Sequence, residues 1–154
     1  MTLARVGPHD ARPLDSPSIS SSCRFQVAWG DCDPAGIIYY PTYFHWFDTA
    51  TWTLFATVGL PIMVMRAQGR MMPLVAADIQ FHHPAVPGDQ CEVRSSIARW
   101  GGKSFVVRHE ARRADGKLLA TGSETRVWVT QDGAGQPLAS EPVPDEVKAL
   151  FVPK

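Results

Sequence analysis

The chain has 154 residues, of which 45% are hydrophobic and 19% charged, and its 15 Lys and Arg balance 15 Asp and Glu. A domain of this size buries roughly 68–70% of its unfolded surface and needs no staples, while an even charge argues against a generic nucleic-acid binder, which carries a basic excess. No apolar run approaches the ~20 residues of a membrane span, and three scattered cysteines (Cys23, Cys32 and Cys91) lack disulfide-framework and CxxC metal spacing, as expected of reduced thiols in the cytoplasm.

Residues 1–22 read as a disordered polar leader: they carry Pro8, Pro13, Pro17 and a run of serines, with no periodic apolar face and no signal-peptide core. Residues 23–154 read as a single domain. Residues 24–29 alternate, with Phe25, Val27 and Trp29 on one side, which predicts a strand. Residues 30–36 (Gly-Asp-Cys-Asp-Pro-Ala-Gly) are dense in turn formers. Tyr40, Tyr43, Phe44, Phe47, Thr51, Leu54, Phe55 and Val58 then recur at three- and four-residue steps, predicting a long helix over residues 40–58 that Gly59 and Pro61 end. Trp46 and Trp52 add apolar surface on its other faces, as in a helix enclosed by a sheet.

A short helix is expected over residues 61–68 and a strand from residue 73, where Val75, Ala77, Ile79 and Phe81 alternate. After a turn at residues 84–89, three more strands follow at about 90–100, 104–113 and 117–130, separated by the hairpin signals Gly101-Gly102 and Asp115-Gly116. A short helix begins at Pro144. The order is strand, long helix, then four strands in meander, which is α+β with the helix against an antiparallel sheet.

The acidic loop carries the chemistry. Pro34 fixes its own φ and biases Asp33 toward extended backbone, and Gly36 permits a strained turn. A helix beginning near Tyr40 leaves its first amide N–H groups unpaired, and these with the dipole favour negative charge nearby. One segment thus offers both parts of an acyl-transfer site. Asp33 can be a nucleophile, giving a mixed anhydride, or a general base to water. The Tyr40 N–H can be an oxyanion donor, typically worth ~2.7–4 kcal/mol of barrier. The competing reading is that Asp33 only caps a helix or a turn. Asp31 reads as a solvated loop carboxylate.

The stretch Gly30-Asp31-Cys32-Asp33-Pro34-Ala35-Gly36-Ile37, the following Tyr40-Pro41 and the aromatic helix resemble the hot-dog-fold acyl-CoA thioesterases, most nearly the 4-hydroxybenzoyl-CoA thioesterase subgroup. The likeness extends to Trp100-x-x-Lys103-Ser104-Phe105 and the turn at 84–89. It implies a sheet wrapped around one central helix, and hydrolysis of an acyl-CoA thioester at Asp33 and Tyr40. It implies a homodimer or homotetramer with sites at the subunit interface and no metal or redox cofactor, CoA being part of the substrate. It also makes Asp48 a candidate acceptor for a ring hydroxyl, against a surface-facing helix charge or an ion pair within the dimer. Lys103 and Ser104 become candidate CoA-phosphate contacts, although Gly101-Gly102 stand where the subgroup carries two arginines; Arg99, Arg108 or Arg126 are the candidate replacements. Three rivals stay open: a thioesterase for acyl-carrier protein, a hydratase or dehydratase, and a non-catalytic acyl-binding module. Neither a nucleic-acid nor a membrane partner is expected.

Other signals fail on spacing. Gly101-Gly102-Lys103-Ser104 ends like a P-loop, but Ile97 stands where its first Gly belongs. Asp31-x-Asp33 begins like a calcium loop but meets Thr42 where a carboxylate is required. No Gly-x-Ser-x-Gly elbow exists. His82-His83 on a strand would point to opposite faces, and a metal held by both is not expected.

Overall fold

Strand β1 (Ser20–Gln26) opens the fold in the computed structural model, which describes residues 18–153. Most of the expected leader lies outside the described residues, but its end is corrected: Ser20, Ser21 and Ser22 pair with Ser96, Ser95 and Arg94. Strand pairing is a backbone interaction, and a partner strand recruits serines that show no apolar alternation. Helix α1 (Tyr40–Thr57) follows, then α2 (Ile62–Ala67), and both stand where periodicity placed them.

Five strands form the main sheet: β1, β3 (Leu74–Phe81), β4 (Gln90–Trp100), β5 (Ser104–Arg113) and β6 (Leu118–Val127). Their order is β1-β4-β5-β6-β3, every pair antiparallel. The four-strand meander is therefore corrected. Only β4, β5 and β6 are joined by hairpins, while β3 pairs with β6 at the far edge, Phe81 opposite Ala120. The physical reason lies in residues 82–89. Pro84 and Pro87 lack N–H donors and the segment is too long for a tight hairpin, so the chain crosses the sheet end to enter β4 beside β1. The last predicted strand splits at the buried Trp128, and β7 (Val129–Thr130) joins β2 (Arg70–Met71) and β8 (Ala139–Ser140) in a small second sheet. Helix α3 (Asp145–Ala149) closes the fold.

The core lies between α1 and the sheet. Tyr43, Trp46, Phe47, Ala50, Thr51, Leu54 and Phe55 are the buried stripe of α1, at the spacing of one helical face. Its first half packs with Val27, Ile38, Val93 and Leu119, its second half with Ile97, Phe105, Trp128 and Phe151. Gly122 on β6 makes the closest approach possible: a Cβ there would stand 2.6 Å from the Phe47 ring and 2.6 Å from the Asp78 carbonyl oxygen. The helix ends on Gly59, whose φ of +86° is a glycine conformation, with Gly59 N–H on Ala56 O and Leu60 N–H on Phe55 O. An antiparallel sheet wrapped around one long helix is the hot-dog arrangement.

Candidate active site

The loop between β1 and α1 is tied at both ends. A 3-10 turn at Trp29–Asp31 is closed by Ala28 N–H donating to Asp31 Oδ2 at 2.8 Å. The Asp31 carbonyl accepts Tyr39 N–H at 2.8 Å and the Thr42 hydroxyl at 3.2 Å. Asp31 is thus a brace for the helix start. Cys32 and Ile38 form a β-bridge, and between them Asp33 N–H donates to Ile37 O while Gly36 N–H donates to Asp33 O. Gly36 takes a φ of +76°, which explains a glycine at that corner. The loop is anchored outward too: Ile38 N–H donates to Ala85 O in the crossover, itself held by Gly88 N–H on Val27 O.

Asp33 Oδ1 accepts Ala35 N–H at 2.8 Å. The capping role is therefore real, and it occupies one oxygen; Oδ2 has no hydrogen-bond partner among the described residues. Tyr40 is the first residue of α1 and Pro41 the second. Tyr40 N–H has no carbonyl of its own helix to bond, and proline removes the next donor. Asp33 and Tyr40 line the same cleft, of about 390 Å³, walled by Ile37, Tyr43, Phe81 and Pro84 among others. Burial, with Cys91 adding to it, pushes the Tyr43 phenol up to about 12, so it stays a neutral hydroxyl. A carboxylate oxygen, a helix-leading amide and apolar walls are what cleavage of an apolar acyl ester requires.

Asp48 lies elsewhere. It is two turns along α1, its side chain 51% exposed, and its Oδ1 accepts Arg126 Nη2 at 2.5 Å. Arg126 is 2% exposed and also donates to Glu124 Oε2 and the Met72 carbonyl. It is therefore not an exposed phosphate contact, which corrects its candidacy. Glu124 further accepts the Thr51 hydroxyl at 2.7 Å. Burial would raise the Glu124 carboxyl, but His109, Arg126 and the Thr51 hydroxyl outweigh it and hold it below the ordinary range. His109 stacks on Phe47, bonds Ser95 Oγ at 2.8 Å and is pushed down, chiefly by burial, so it is neutral. Serine, histidine and carboxylate stand in a row here, yet all are shut inside the core.

Lys103 and Ser104 sit at the β4–β5 hairpin, where Lys103 Nζ donates to the Ser140 carbonyl at 3.0 Å and Gly101 N–H to Ser104 O at 2.7 Å. The acidic loop is anchored at the start of β4 and this hairpin follows its end. Eleven residues put those ends roughly 33 Å apart. One chain therefore does not bring Lys103 or Ser104 into the cleft of Asp33, and Asp48 is not among the residues that line it. A larger concavity, about 460 Å³, is lined by Arg24, Arg112 and Arg113, but each of these cations faces a carboxylate: Glu92, Glu110 and Asp115.

Two cleft residues were not singled out for it in the sequence. β3 ends at Phe81, and the backbone N–H groups of His82 and His83 both donate to Leu119 O, at 2.8 and 3.2 Å. Strand alternation therefore stops, and both residues line the cleft. The signal was present in Pro84, which ends a strand. Among the described residues no group of three His, Cys, Asp or Glu is placed to hold a metal ion, and no helix is long and apolar enough to cross a membrane.

Comparison with known proteins gives the same direction. The model of the thioesterase-like superfamily matches residues 27–151. The chain is 34% identical to 4-hydroxybenzoyl-CoA thioesterase of Pseudomonas sp. (strain CBS-3), over 70% of this chain and 82% of that protein. Among solved structures, an aspartate-to-asparagine mutant of 4-hydroxybenzoyl-CoA thioesterase complexed with 4-hydroxybenzoyl-CoA superposes with a TM-score of 0.77 at 32% identity, covering 85% of this chain and 97% of that one. The gentisyl-coenzyme A thioesterase BH1999 gives 0.74 at 33%, covering 83% and 99%.

Proposed function

The chain belongs to the thioesterase-like superfamily, and from that premise we propose that it hydrolyses an acyl-CoA thioester to free acid and CoA at the Asp33 cleft. It is a thioester hydrolase; the residue roles are our assignment. One observation carries them: the carboxylate of Asp33 and the leading residue of α1, Tyr40, line one cleft. Asp33 attacks the thioester carbonyl or activates a water toward it, and the Tyr40 N–H stabilises the oxygen that gains charge. These steps use side-chain and backbone groups only, CoA being part of the substrate. The aromatic walls suit an aromatic acyl group of the hydroxybenzoyl kind. We place the enzyme in the cytoplasm, in keeping with three free thiols.

The working unit we infer is a dimer. Edge strand β3 leaves Leu74, Val75 and Phe81 exposed, an apolar edge of the sort that pairs with another chain. Edge strand β1 presents serines and Arg24 instead. A second copy is also what lets Asp48, Lys103 and Ser104 meet substrate, each serving the cleft of the other subunit, with dimers free to pair into a tetramer.

The test is free-thiol release from a panel of aromatic and aliphatic acyl-CoAs. Asn at position 33 can still accept the Ala35 N–H but carries no charge. Asp33→Asn should therefore cut kcat at least about 100-fold while the melting temperature barely moves. A variant keeping more than about a tenth of wild-type kcat would remove Asp33 from the chemistry. Gly101-Gly102 favours one second reading, an acyl-carrier-protein substrate, and faster release from that carrier in the same assay would establish it.

A further inference from the structure

We propose that His83 is a further catalytic residue of this cleft, the base that takes a proton from the hydrolytic water through Nε2; this rests on the thioesterase reading above. Its position comes from the break in the strand after Phe81, which leaves His83 lining the cleft that Asp33 also lines. Its protonation pattern comes from one contact. His83 Nδ1 lies 2.8 Å from the Leu118 carbonyl oxygen. A carbonyl only accepts, so Nδ1 carries the proton, and in the neutral ring Nε2 keeps its lone pair. His82 differs, since its Nε2 lies 3.0 Å from the Thr121 hydroxyl, which can either donate or accept and fixes no tautomer. His109 sits in a fuller relay but is 0% exposed and meets no substrate.

The chemistry needs such a base. Asp33 commits Oδ1 to Ala35 N–H, and its free oxygen is the natural nucleophile. Attack on the thioester carbonyl forms an acyl–oxygen bond and breaks carbon–sulfur, the electron pair leaving on the thiolate. Water then adds to the acyl carbon of the anhydride and its proton passes to His83 Nε2. The acyl–Asp33 bond breaks, the carboxylate of Asp33 is restored, and the imidazolium yields its proton to the thiolate or to solvent. An imidazole is a far better proton acceptor at neutral pH than a carboxylate. The other titratable groups facing this cleft are Asp33, Tyr40, Tyr43 and His82.

The experiment compares wild type with His83→Gln and His83→Asn, neutral amides that cannot act as a base. kcat should fall about 100-fold or more with KM within about twofold. Rapid mixing should still show one equivalent of thiol released per site before the slow phase, since the first step does not use His83. The proposal is overturned if kcat stays within about threefold of wild type. A burst lost along with turnover also overturns it. If wild type releases no thiol from any acyl-CoA, the functional reading fails first, and the two failures are distinct.

Discussion

At the scale of residues, the polar groups divide into those that meet the cleft and those sealed in the core. Glu124 at 1% exposure and Arg126 at 2% form an ion pair extended to the half-exposed Asp48, with the Thr51 hydroxyl bonded to Glu124 and His109 Nε2 3.5 Å from it. Removing Glu124 or Arg126 leaves an uncompensated buried charge, which is why that pair reads as structural. His109 gives it a pH signature. Burial, with Arg126 beside it, lowers its tendency to take a proton in the folded state. In the unfolded chain a histidine protonates near pH ~6.5. Between that pH and the lower folded value the unfolded state binds the extra proton. Stability is thus fully present above about pH 6.5 and declines as pH falls, by up to about 1.4 kcal/mol per unit from this group. Denaturant melts at pH 7 and pH 5 should show that decline, and it should flatten in His109→Gln. Equal declines in both proteins would exclude His109 as its source.

Elements set the geometry that residues exploit. α1 can press into the sheet because β6 offers Gly122 beneath Phe47. Alanine there would collide with a ring edge and with the Asp78 backbone, neither of which is a flexible chain end. Gly122→Ala should cost about 1–3 kcal/mol, read as a lowered denaturation midpoint at an unchanged m-value. It should also lower kcat, because α1 carries Tyr40 at its leading end and any retreat of the helix moves that amide. A variant as stable as wild type would show that the helix has room to spare. The other end of α1 is fixed by Gly59, so helix length and the register of Tyr40 against Asp33 are set locally.

At the scale of the molecule, the roughly 33 Å between the two ends of β4 separates the acidic loop from Lys103 and Ser104, and this is the argument for a second copy. Sedimentation should return a dimer or tetramer, and Val75→Asp on the exposed apolar edge should shift it toward monomer with loss of activity. Complementation is the sharper measurement. Asp33→Asn and Asp48→Ala, each crippled alone, are mixed after reversible dissociation. If each cleft takes Asp33 from one subunit and Asp48 from the other, mixed dimers hold one intact site. Activity toward a hydroxybenzoyl-CoA then returns to about a quarter of wild type at equal mixing in a symmetric dimer. No recovery would mean that Asp48 serves its own chain or no substrate at all.

Local pattern by itself determined the extent of α1, the strands Gln90–Trp100 and Ser104–Arg113, and the pairing of an acidic turn with a helix start. Those features depend on periodicity, glycine and proline backbone rules, and contacts a few residues apart. Tertiary structure alone decided the rest, because it depends on which distant strands meet. Only the folded chain sends β3 to the far edge and turns Ser20 to Ser22 into strand by giving them a partner. It likewise seals Arg126 against Asp48 and Glu124, and it brings His83 to the cleft of Asp33, fifty residues away along the chain.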